Sequence, residues 1–103
     1  MRLKFLPSFV KRRGRITKKQ EENLKNLSNF AVEDINGLQK ECIKFSSCCL
    51  EIGFGNAENI SQQALSNPEV LFIGSEVYMS GIGTLLGNIK ENNIENIRIF
   101  PDD

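Results

Sequence analysis

The apolar pattern is irregular through the first half of this chain and becomes regular from residue 48 onward. There "CCLEI", "VLFIG" and "IRIF" form three short apolar runs of strand length, and the stretches between them carry helical spacing. The first run predicts a short buried strand closed by Gly53. Residues 57–66 predict a helix with Ile60, Ala64 and Leu65 inward, stopped by Asn67-Pro68. "VLFIG" is apolar on both faces, as a parallel strand covered by helices must be. In "MSGIGTLLGNIKENN", Ile82, Leu85, Leu86 and Ile89 recur at i, i+3, i+4 and i+7, with Ser80 as the expected N-cap. Strand, helix, strand, helix, strand with short connections is the first half of a doubly wound, Rossmann-like α/β sheet.

Upstream the signals are sparser. Thr17 followed by Gln20 matches a capping box and starts a short helix with Leu24, Leu27 and Phe30 near one face. Residues 31–46 have no clear period, and Gly37 is expected to break them, so they read as a connector. The chain therefore divides into an arm, short helix and connector over 1–46 and a ligand-binding half-sheet over 47–103.

Composition narrows the class. At 103 residues, with 40% hydrophobic and 25% charged positions, the chain is at most one ordinary globular domain. No apolar run is long enough to cross a bilayer, and the basic N-terminus lacks the apolar core of a secretory signal. Cys42, Cys48 and Cys49 have no Cys-x-x-Cys spacing, and histidine is absent, so no metal site is expected. Buried, reduced thiols in a cytoplasmic protein are the expectation. Lacking histidine, the chain also has no Ser-His or Cys-His mechanism.

The formal net charge of zero hides a division. Residues 1–19 hold eight bases and no acid, so the remaining five bases and thirteen acids leave a body of −8. A solvated tail and a polyanion-binding arm both fit that asymmetry on charge alone.

Candidate chemistry gathers where the three strands end, the level at which doubly wound sheets bind ligands. Glu51 ends the first strand, Glu76 follows the second and Asp103 follows the third. Gly53 and Gly55 lie in the turn after Glu51. A dinucleotide fingerprint would need a third glycine, but that position is Glu58, a carboxylate competing for the helix dipole that a pyrophosphate would use. Acid-x-Gly-x-Gly, then an acid after strand two and another after strand three, suits a cationic ligand with a ribose and no phosphate. S-adenosylmethionine has those features.

"SFVKRRGRIT", "LEIGFGNAENI", "NPEVLFIGSEVYMSGIGTLL" and "NIRIFPDD" together resemble successive blocks of the bacterial tRNA (guanine-N7)-methyltransferase family, from about residue 8 to residue 103. The resemblance implies a class I methyltransferase sheet binding S-adenosylmethionine through Glu51, Gly53, Gly55, Glu76 and Asp103, with Asp103 near the adenine amino group. It implies that Arg12, Arg13 and Arg15 contact tRNA phosphates, affinity contacts that do not read bases. Ala57 departs from a common glycine, Tyr78 from a common histidine and Ser75 from an apolar residue. The family's Pro-Asp-Pro-Trp type block, with its reaction-centre aspartate, has no counterpart here, so no catalytic residue is assigned within this chain. A second polypeptide supplying that half is one expectation. An inactive remnant that binds only the donor or tRNA is the alternative.

Overall fold

A computed structural model describes residues 16–54 and 57–101. Elements in chain order are α1 (Lys18–Leu24), α2 (Leu27–Phe30), α3 (Ile35–Cys42), β1 (Ser47–Ile52), α4 (Glu58–Ser66), β2 (Val70–Ser75), α5 (Met79–Asn92) and β3 (Ile97–Phe100). The three strands form one parallel sheet in the order β1-β2-β3, as the first half of a doubly wound fold requires. Ile52, Ser75 and Phe100 stand in one register, so the strands end level with one another.

One face of the sheet holds the core. Phe72 and Gly74 of β2 meet Ile60 and Ala64 of α4 and the Ile82, Leu85, Leu86, Ile89 stripe of α5, all buried. That stripe is the one the spacing predicts. Tyr78, rather than Ser80, is the N-cap of α5 and makes no side-chain cap bond; Ser80 lies inside the first turn. On α4 the inward positions are Ile60, Ser61 and Ala64. Leu65 is 51% exposed, at the rim of an open cavity beside Phe45 and Pro68 rather than in the core.

α1 begins with the predicted capping box: the Gln20 N–H donates to Thr17 Oγ1 (3.0 Å) and the Thr17 N–H to Gln20 Oε1 (2.9 Å). The helix lies against α5, where Gln20 Nε2 donates to Thr84 Oγ1 and Asn23 Nδ2 to the Gly83 carbonyl. Close approach there needs glycine, because a Cβ on Gly83 would stand 3.0 Å from the Gln20 carbonyl oxygen. Leu24, Leu27 and Phe30 close one edge of the core, half-buried.

Residues 31–46 are more ordered than their lack of period suggests. Ala31 bridges Ile99 in parallel, with the Val32 N–H donating to the Ile99 carbonyl (2.9 Å). Asp34 then caps α3 by accepting the Gly37 N–H at 2.8 Å. Gly37 therefore sits in the first turn of a helix instead of breaking one, because a side-chain cap supplies the bond that starts it. Glu41 of α3 pins this segment to β3 through Arg98 (2.6 Å) and also pairs with Lys44 (3.0 Å). The Lys44 hydrogen bond, helped by Arg98 and opposed by burial, holds the Glu41 carboxyl below the usual range.

β1 departs most from its sequence expectation. Except for half-buried Glu51, its residues are exposed, with Leu50 at 60% and Ile52 at 75%. Among the described residues no strand pairs with its outer edge, and α3 covers only part of the second sheet face. Cys48 and Cys49 of this strand are exposed and Cys42 of α3 is half-buried, so these thiols are not core residues. Periodicity identified the strand but could not show what covers it.

Candidate donor-binding site

The candidate site centres on the turn where β1 gives way to α4. Gly53 has φ +63°, a left-handed conformation in which a side chain would be strained, and its N–H extends the ladder by donating to the Ser75 carbonyl (2.8 Å). Phe54 then folds back under the turn and is buried against β2. Gly74 makes the room: a Cβ there would lie 2.6 Å from Phe54 Cδ2 and 3.1 Å from Ile60 Cδ1. Neither Phe54 nor Gly74 is prominent in the sequence as a site residue, although a glycine inside an apolar strand signals close approach. Gly74→Ala is expected to overpack this contact by about 1–3 kcal/mol. A drop in melting temperature of roughly 4–8 °C per kcal/mol would show it.

Ala57, the N-cap of α4, also has a left-handed backbone, with φ 72° and ψ −7°. A non-glycine residue in this conformation costs about 1–2 kcal/mol, so Ala57 is a strained point of the turn. Ala57 is fully buried, and its N–H donates to the Phe54 carbonyl (3.3 Å). Glu58 follows in the first turn of α4, where it accepts from Gln62 Nε2 (3.0 Å). This carboxylate occupies the end of the helix dipole that would otherwise favour an anion.

Across the rim, Glu76 follows β2 directly. Only 9% exposed, it donates its backbone N–H to the Phe100 carbonyl (3.2 Å), while its Oε2 accepts the Val77 (3.2 Å) and Tyr78 (3.4 Å) N–H groups. Those bonds fix a buried carboxylate at the end of the central strand. Glu51, half-buried, lies in register with Gly74 on the neighbouring strand. The fold thus brings Glu51, Gly53 and Glu76 to one end of the sheet. Gly55, Asp103 and the arm residues Arg12, Arg13 and Arg15 lie outside the described residues. Among the described residues no cluster could hold a metal ion, and no helix is long and apolar enough to cross a membrane.

A parallel three-stranded half-sheet with a glycine turn after its first strand places the chain in the class of Rossmann-like α/β domains. Residues 46–103 match the family described as "Putative methyltransferase", and the chain belongs to that family. It is similar to the tRNA (guanine-N(7)-)-methyltransferase of Nitrosococcus oceani, 40% identical over 102 residues that cover 95% of this chain and 43% of the relative. The enzyme of the same name from Hyphomonas neptunium is 36% identical over 101 residues, covering 93% of this chain and 46% of its own length. That of Wolbachia pipientis is 38% identical over 104 residues, 97% of this chain and 44% of the relative. The chain spans less than half the length of these curated relatives.

Proposed function

We propose that this chain supplies the donor-binding part of an S-adenosylmethionine-dependent tRNA (guanine-N7)-methyltransferase. The observation that carries the reading is Glu76, a carboxylate held buried at the end of β2, level with the left-handed Gly53 turn after β1. A carboxylate so placed suits the two hydroxyls of a ribose. Glu51 suits the cationic methionine end, Gly53 and Gly55 allow the backbone close to it, and Asp103 is assigned to the adenine amino group. The donor set fits the ligand, because acids and glycines meet a molecule bearing ammonium and sulfonium charge and no phosphate.

When bound, S-adenosylmethionine supplies an electrophilic methyl group. The chain's own residues hold the ligand in place and surround it with negative charge. Guanine N7 already carries a lone pair, so no strong base is needed. Alignment and a field tolerant of a cationic product are the work.

The arm is assigned to tRNA phosphates through Arg12, Arg13 and Arg15, and the cytoplasm follows from that substrate. Replacing these three by Gln is expected to lower the log–log salt slope of tRNA binding by about two to three units. An unchanged slope would reduce the arm to a solvated tail.

We assign the reaction to this chain together with a portion equivalent to the remainder of the relatives, docked beside β1. A remnant that only binds ligand is the second reading, favoured by the uncovered β1 face. Mixing the chain with that portion of the Nitrosococcus oceani relative separates them. N7-methylguanine in tRNA, detected by mass spectrometry, supports the enzyme; donor binding without product supports the remnant.

A further inference from the structure

The left-handed Ala57 is held from a distance. Its carbonyl accepts two bonds from Ser61, one from the backbone N–H (3.1 Å) and one from the hydroxyl (2.7 Å). The Ser61 Oγ in turn accepts from Asn88 Nδ2 on α5 at 3.0 Å. Direction matters in this relay. Because the Asn88 amide donates to the Ser61 oxygen, the hydroxyl proton is left to point at the Ala57 carbonyl. Ser61 is buried and Ala57 fully so, which leaves water little access as a replacement partner. The opposite end of the turn is tied independently, by the Gly53 N–H on the Ser75 carbonyl. A non-glycine residue in this conformation persists where its surroundings over-determine it, and such positions cluster at ligand clamps.

We infer that Ser61 and Asn88 are positioning residues for the donor-binding turn: they brace the Ala57 backbone in the shape that glycine would adopt unaided. The inference rests on the donor-binding reading of this turn. Neither residue need touch the ligand, since both act through the Ala57 carbonyl and the direction in which α4 starts. Asn88 also ties the turn to α5, and so links the site to the helix on which α1 packs.

The test is whether the brace is needed only while residue 57 is alanine. S-adenosylmethionine binding to the full chain is measured by calorimetry for Ser61→Ala, for Ala57→Gly and for the double variant. One hydrogen bond of about 1 kcal/mol corresponds to roughly fivefold. Ser61→Ala is therefore expected to weaken binding about fivefold beside Ala57, and less than twofold in the Ala57→Gly background. Asn88→Asp, which keeps the shape but cannot donate to the hydroxyl, should weaken binding in the same direction and keeps the test available if Ser61→Ala does not fold. Equal losses in both backgrounds, or none in either, would overturn the brace. Amide exchange at Ser61 provides a ligand-free arm. Faster exchange in Ser61→Ala than in the double variant supports the brace even if the unaltered chain binds no donor, a result that would defeat the donor reading instead. Equal exchange in the two would count against the brace itself.

Discussion

Alone in solution, the 103-residue chain is expected to transfer no measurable methyl group to tRNA and to sediment as more than a monomer. The reason lies in β1. In a doubly wound sheet the first three strands order as 3-2-1, and a fourth strand docks on the far side of strand one. Among the described residues that side is unpaired, while Leu50 and Ile52 are 60% and 75% exposed. An open edge with apolar side chains is a template for association with other chains. Leaving two such side chains in water forgoes about 1.5–3 kcal/mol each. That is a large fraction of the roughly 5–15 kcal/mol by which domains are stable. Sedimentation, thermal melting and radiolabelled methyl transfer on purified chain would check these together. Addition of the relatives' remaining portion should bring a sharper melt and turnover. Leu50→Lys, which places a charge on the open face, should reduce self-association. A monomer that melts cooperatively and turns over unaided would refute this account of β1.

Glu76→Ala should weaken S-adenosylmethionine binding at least tenfold. Two ribose hydroxyls on one carboxylate form charge-assisted bonds worth about 1.5–3 kcal/mol each, and water recovers part of that loss. The substitution also strips the Val77 and Tyr78 N–H groups of their acceptor, so some loss of stability is expected as well. Glu76→Gln separates the two effects, because it retains an acceptor for those N–H groups while losing the charge. It should melt close to the unaltered chain yet still bind the donor more weakly. Unchanged affinity in a folded Glu76→Ala protein would remove the residue from the site.

Much of this arrangement is legible in the sequence because it depends on local chemistry. The Thr17–Gln20 capping box, the Ile82–Ile89 stripe and the glycine at +63° after Glu51 follow from residue type and spacing alone. The sequence places an acid directly after β2 and makes it a candidate; its burial and its bonds to Val77 and Tyr78 are not legible there, since they depend on how the chain turns into α5. What stayed hidden depends on other parts of the molecule. Whether β1 is buried is decided by what packs on it, and strand periodicity is the same either way. The Ser61–Asn88 bond joins residues 27 positions apart on two helices, and no single-helix pattern announces it. α3 was hidden for a different reason. Its start rests on one side-chain cap, Asp34 on the Gly37 N–H, and an aspartate three residues before a glycine reads as readily as a turn.

The proposed donor site is tested most directly by calorimetric titration of the chain with S-adenosylmethionine and, in parallel, with NAD. The Glu58 carboxylate at the start of α4 and the Glu51–Gly53–Glu76 arrangement predict saturable binding of S-adenosylmethionine and none of NAD at the same concentrations. NAD binding by a chain that ignores S-adenosylmethionine would contradict the account.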